Sequence, residues 1–310
     1  MDGGPHKERQ IFWREFLYLW GTATAIGALA LPLMHLPPAG LARQLFLPFH
    51  SESTWLMLIA VIMQDSIQLA ISIGVGLVAA HRLGLGAPVL EAWLRGEPVG
   101  PYVRAPIVPI LLTGVVLVVC STLANSSALH PNRTQDRAAA NEMLYSPARA
   151  KLVEQIDKLG LAGTKSIAPV SLMIYYPANA MSGELTTQLF EVSVIALLLV
   201  QLFGSSNPVV DRKFFWAAIL IVALIHTAHY LFMQHESTLL YSGLFKDLGL
   251  PFRADPFRVI AARASVSIIP TGVALGLLYV RYGVEASILA SISAAVTSHF
   301  FTTFWFTHFS

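Results

Sequence analysis

Long apolar runs separated by short polar stretches dominate this chain. A helix that crosses a bilayer needs about 20 mainly apolar residues. Runs of that length lie at residues 11–35, 54–80, 105–124, 214–233, 259–280 and 284–305. Each run predicts one transmembrane helix.

The segment 166–204 is also almost continuously apolar, but it contains Pro169, Pro177 and Gly183. It is long enough for two helices, and the sequence predicts a break between them at residues 181–183. The total is then about eight helices. We therefore predict an all-α fold, a polytopic transmembrane helix bundle that forms one membrane domain over residues 1–310.

Three connections between the runs stand out. Residues 89–94 lie between glycines and predict a short interfacial helix. Residues 125–165 form the longest polar segment, and we expect an amphipathic helix within this extramembrane loop. The third connection, residues 235–258, contains two prolines.

Positive charges predict how the chain is oriented, because short cytoplasmic loops are enriched in Lys and Arg. Lys7 and Arg9 place the N-terminus in the cytoplasm. An even number of crossings returns the C-terminus to the same side and leaves loop 125–165 extracytoplasmic. Arg212, Lys213 and Arg281 would then lie outside, against the rule.

The composition agrees with a membrane protein. Only 12% of the residues are charged and the mean hydropathy is +0.61, whereas soluble domains carry about 25% charged residues. The net charge of +2 gives no reason to expect a nucleic-acid partner. The single cysteine, Cys120, cannot form an internal disulfide.

Ionisable groups within the predicted spans are candidates for function, because they are costly at bilayer depth. Asp65 lies near the middle of the second run, where Gln64 and Gln68 complete a narrow polar stripe. A lone aspartate beside glutamines more often links helices by hydrogen bonds than carries a function.

Two more pairs of polar residues lie in later runs. Glu184 and Glu191 are seven residues apart, which in an α-helix places them on one face. His226 and His229 also share a face. As metal ligands they are weak candidates, since zinc would need a third ligand. The chain contains no Walker loop, HExxH, GxSxG or CxxC motif.

Residues 272–290, GVALGLLYVRYGVEASILA, form the most distinctive block of the sequence. This block resembles the last conserved block of the CPBP family, which includes CAAX-prenyl proteases and bacteriocin-processing intramembrane proteins. The matching positions are Gly272, Gly276, Leu278, Tyr279, Arg281, Gly283, Glu285, Ile288, Leu289 and Ala290. Residues 83–96 are similar to an interfacial segment of bacterial members, and the resemblance covers roughly residues 54–301.

The resemblance implies an active site built from a glutamate pair followed by an arginine, a middle histidine, and a final histidine with Asn or Asp four residues on. His226 matches the middle histidine. The final histidine falls on Ser291 and its partner on Ala295. In this family the glutamate and the middle histidine are thought to activate a water molecule.

The glutamate pair has two alternative registers. The one we prefer places Thr186 and Thr187 on the glutamates and Glu191 on the arginine. In the other, Glu184 is the second glutamate and Gln188 takes the arginine position. Under either register the pair is incomplete, because no two glutamates are adjacent in this chain.

Three hypotheses of function follow from this degenerate pattern. The first is a catalytically inactive CPBP-like protein that serves as a structural or accessory subunit beside other integral membrane proteins. The second is a divergent intramembrane protease that uses Glu184 or Glu191 with His226. The third is a small-molecule binder or transporter around Asp65 and His226. We expect a bacterial inner membrane location, contacts with membrane lipid that could include a bound lipid, and no cofactor.

Overall fold

The computed structural model describes residues 5–33, 54–124, 169–204, 211–247 and 257–308. Within these ranges the chain forms helices and no strand. In chain order they are α1 (Pro5–Leu33), α2 (Thr54–Leu83), α3 (Pro88–Arg95), α4 (Gly100–Arg104), α5 (Ile107–Ala124), α6 (Pro169–Glu184), a π-helix (Leu185–Val192), α7 (Ser193–Phe203), α8 (Arg212–Asp247), α9 (Phe257–Tyr282) and α10 (Val284–His308). The predicted all-α class is confirmed.

Five helical segments of the described ranges are long and apolar enough to cross a membrane. They are Ile59–Leu83, Gly100–Ala124, Tyr176–Phe203, Arg212–Glu236 and Phe257–Tyr282. The shorter apolar helix Val284–Ser298 adds to them. The protein is therefore an integral membrane protein.

The predicted break at residues 181–183 is wrong. The chain is continuously helical from Pro169 to Phe203, through α6, the π-helix and α7. Pro177 lies inside α6, as membrane helices tolerate when neighbouring helices satisfy the freed backbone groups. One span therefore replaces the two that were predicted.

Other predicted segments have mixed outcomes. Run 11–35 forms α1, but α1 is not among the five candidate spans. The predicted interfacial helix 89–94 is present as α3, which ends at Gly96 in a left-handed conformation. Loop 125–165, with its predicted amphipathic helix, lies outside the described residues.

The core is centred on the π-helix. Leu185 and Leu189 of the π-helix are fully buried with Ile73 and Leu77 of α2. The backbones approach closely here, since a Cβ at Gly76 would lie 2.7 Å from the carbonyl oxygen of Leu189. The main chain of the π-helix therefore packs directly against α2 at Gly76.

Large apolar side chains also cover the outside of the bundle. Ile71 of α2, Leu112 of α5 and Leu224 of α8 are each exposed over more than half of their surface. Such extensive apolar exposure is unfavourable in water. These surfaces match the lipid-facing side of a transmembrane bundle.

The block that resembles the CPBP family builds much of this packing. Gly276 lets α9 approach α8, because a Cβ there would lie 2.8 Å from Ile219. Tyr279 is fully buried, and its hydroxyl lies 2.6 Å from the hydroxyl of Ser193. Gly283, with a φ of 89°, turns the chain from α9 into α10. These residues thus have structural roles in this protein.

Candidate functional site

The π-helix Leu185–Val192 is the local feature that positions the candidate site. Its i→i+5 hydrogen-bond pattern is rare in proteins and occurs frequently at functional sites. Because the segment is not α-helical, the spacing of seven between Glu184 and Glu191 does not correspond to two α-helical turns. The two carboxylates instead have different partners.

Glu191 of the π-helix pairs with His226 of α8. The Oε2 atom of Glu191 lies 2.6 Å from Nε2 of His226. The side chains are 28% and 40% exposed, respectively. A carboxylate at this distance can fix the orientation of the imidazole ring and stabilise its protonated form.

Glu184, at the end of α6, pairs with Ser291 of α10. The Ser291 hydroxyl donates a hydrogen bond of 2.6 Å to Oε1 of Glu184. Glu184 is buried, and its Oε2 atom has no hydrogen-bond partner among the described residues. Glu184 is therefore held inside the bundle, with Ser287 and Gln188 also next to its carboxylate.

The two pairs belong to one electrostatic neighbourhood. Glu184 and His226 are close enough for their charges to interact. Gln188 and Ser287 are also buried and lie beside Glu184. A group of buried polar residues inside a membrane bundle is costly, so it is a candidate functional site by default.

A cavity of about 510 Å³ opens on one side of this group. Its lining includes Glu184, Ser291 and Ala295. The two positions that the CPBP resemblance assigns to the final histidine and its partner therefore face the same space as Glu184. Ala295 offers no side-chain donor there.

The site residues named from the sequence thus fall into two sets. Glu184, Glu191, His226 and Ser291 meet around the π-helix. His229 is exposed on α8. Within the described ranges, neither His226 nor His229 belongs to a group of three or more metal-ligating side chains.

Asp65 lies elsewhere in the bundle. Asp65, Gln64 and Gln68 are all exposed. Asp65 lines a cavity of about 240 Å³ between α1, α2 and α6, together with Ser66 and Asn179. His226 does not line that cavity, so the structure gives no support to a binding site shared by Asp65 and His226.

Comparison with known proteins gives no relative. The chain matches no family model, no curated protein and no solved structure. The resemblance to the CPBP family therefore stays a prediction from the sequence.

A second polar cluster was not singled out from the sequence. Glu15 of α1, His81 of α2 and Glu91 of α3 meet at one end of the bundle. Burial and the negative charge of Glu15 raise the pKa of Glu91 above its usual value. The available signal was Glu15 itself, an acidic residue inside a predicted transmembrane run.

Proposed function

We propose that this protein is an intramembrane hydrolase, a divergent relative of the CPBP proteases, with Glu191 and His226 as its general base. The observation that carries the proposal is the 2.6 Å contact between Glu191 Oε2 and His226 Nε2. The two residues lie on separate elements, and His226 is the position that matches the family's middle histidine. A paired carboxylate and imidazole is a common device for activating a nucleophile.

The contact between Glu191 and His226 defines a path for proton transfer. If Nε2 of His226 carries the hydrogen and donates it to Glu191, the opposite ring nitrogen, Nδ1, is free to accept a proton from water. The resulting hydroxide attacks the carbonyl carbon of a peptide bond. His226 then returns the proton to the departing amine as the C–N bond breaks, and Glu191 stabilises the imidazolium between the two steps.

The surroundings favour an apolar substrate. His226 is 40% exposed, and its neighbours Leu224 and Ile225 are 57% and 51% exposed. The pair can therefore be approached from the apolar surface of the bundle. A transmembrane segment of another protein is the substrate that this setting favours.

His226→Ala is the decisive variant, and His229→Ala is its matched control. Both histidines lie on α8, three residues apart, but His229 is outside the pair. N-terminal proteomics of native membranes should show specific cleavage products that disappear with His226→Ala and persist with His229→Ala. Glu191→Gln should reproduce the loss. Identical cleavage profiles in all strains would refute the proposal.

A second candidate is a non-catalytic subunit of a membrane complex, as the first hypothesis from the sequence expects. Its support is the region of Ser291 and Ala295, where the Ser291 hydroxyl donates to Glu184 and Ala295 has no side-chain donor. A hydrolase needs preorganised donors for its oxyanion. Stoichiometric recovery of other membrane proteins in a gentle-detergent pull-down, with unchanged cleavage in His226→Ala, would favour this candidate. A bacterial inner membrane location with cytoplasmic termini belongs to both proposals.

A further inference from the structure

Three metal-ligating side chains meet where α1, α2 and α3 come together. Nε2 of His81 lies 2.8 Å from Oε2 of Glu15 and 3.9 Å from Oε1 of Glu91. One ligand atom from each of the three residues lies within 4.8 Å of the others. This cluster is separate from the site around the π-helix.

Glu15 gives the strongest indication that the cluster binds a ligand. Its side chain has no exposed surface, and its Oε1 atom lacks a hydrogen-bond partner among the described residues. A buried carboxylate oxygen without a partner is costly. It therefore points to a ligand that supplies the missing interaction.

Gly86 shows where the carboxylates point. A Cβ at Gly86 would lie 2.6 Å from Oε1 of Glu91 and 3.8 Å from Oε1 of Glu15. Its φ of 155° also favours glycine. The loop after α2 thus leaves room for both carboxylates to approach the same point.

Two further side chains border the cluster. Glu285, at the start of α10, brings a third carboxylate close enough to interact electrostatically with Glu15 and Glu91. Its Oε1 atom accepts a hydrogen bond from the amide of Leu90, and its Oε2 atom has no partner in the described part of the chain. Arg95 pairs with Glu91 at 3.2 Å.

An ion could reach the cluster from outside. His81, Gly86 and Glu91 line a cavity of about 390 Å³ at this end of the bundle. His81 is 32% exposed, whereas Glu15 lies beneath it. The cavity therefore leads to the cluster without passing through the core.

We propose that Glu15, His81 and Glu91 bind a divalent transition-metal ion of the Zn²⁺ type. One imidazole and two carboxylates form a donor set that zinc accepts, with a fourth position left for water. Ligands about 2.0–2.2 Å from a tetrahedral zinc lie roughly 3.3–3.6 Å apart. The observed separations of 2.8 and 3.9 Å lie on either side of that range. The ion would tie α1 to α2 and α3, a role that does not depend on the proposed hydrolase.

The test measures zinc bound to the full chain, purified in mild detergent without a histidine tag. After equilibration with Zn²⁺ and removal of free metal, mass spectrometry of the metal content should find about one zinc per chain. Glu15→Gln, His81→Gln and Glu91→Gln should each lose it. Glu97→Gln and His229→Gln, which change exposed residues outside the cluster, should retain it.

If Glu15→Gln fails to fold, two further measurements still test whether the cluster binds zinc. His81 is partly exposed, so His81→Gln should keep the wild-type elution profile and lose the zinc. X-ray absorption at the zinc edge should report one imidazole among oxygen ligands. The proposal would be overturned if the wild type bound no zinc, or if the cluster variants and the control variants bound equal amounts. The contact between His81 and Glu15 would then be an ion pair only.

Discussion

The hydrogen bond between Ser193 and Tyr279 should be among the more valuable single interactions in the bundle. It joins the residue after the π-helix to α9, with the two hydroxyl oxygens 2.6 Å apart and both side chains fully buried. Such an O–H···O distance is at the short end of the normal range. Tyr279→Phe removes one hydroxyl and leaves the other without a partner.

The expected cost follows from that burial. A net hydrogen bond contributes about 0.5–1.5 kcal/mol, and an orphaned buried hydroxyl costs about 1–3 kcal/mol. Interhelical hydrogen bonds in membranes average a lower value, near 0.6 kcal/mol. We therefore expect Tyr279→Phe and Ser193→Ala each to lower the free energy of unfolding by roughly 1.5 kcal/mol. The double variant should lose only about 2 kcal/mol, because it leaves no orphan, which gives a coupling of about 1 kcal/mol.

Reversible unfolding in mixed detergent and lipid micelles, followed by circular dichroism, measures these free energies. Tyr18→Phe is the matched control, since Tyr18 is 47% exposed and its variant should change stability by less than about 0.5 kcal/mol. If the losses of the two single variants simply add in the double variant, the hydroxyls do not interact and the reasoning is refuted.

Glycine substitutions test the close contacts in the same unfolding assay. Gly76→Ala should lower the free energy of unfolding by about 1–3 kcal/mol, because its Cβ would meet the backbone oxygen of Leu189. Gly21 has open space around it, so Gly21→Ala should be neutral or should stabilise α1 by about 0.5–1 kcal/mol. Equal effects of the two variants would contradict the proposed contact. Gly283→Ala combines an unfavourable positive φ with a clash against Pro88. The strained φ alone costs about 1–3 kcal/mol, and the clash should add to that loss of stability. An unfolding midpoint equal to that of the wild type would show that the turn is not tight.

Four of the six long apolar runs, 54–80, 105–124, 214–233 and 259–280, coincide with candidate spans of the described residues, whereas the predicted total of about eight is not confirmed. The prediction failed at residues 181–183, because Pro177 and Gly183 are helix breakers by local preference. In the structure the helix continues past both, and its winding changes only from Leu185 onward. That change is not visible in the apolar pattern of the sequence.

The sequence singled out each residue of the candidate site but not how these residues are arranged. His226 and Ser291 followed from the resemblance, and Glu184 and Glu191 from their cost inside a membrane. Their pairing differs from the predicted common face because it depends on the π-helix. The Glu15 cluster could not be predicted, since its members lie far apart in the sequence and meet only through the fold.

The rate of peptide-bond cleavage in membranes tests whether Glu191 and His226 form a working base. Quantitative N-terminal proteomics of wild-type, Glu191→Gln, His226→Ala and His229→Ala strains measures this rate. We expect cleavage to fall by about 10²–10⁴-fold in Glu191→Gln and His226→Ala and to stay at the wild-type rate in His229→Ala. Unchanged cleavage in His226→Ala, with the protein present at its normal level, would contradict this expectation.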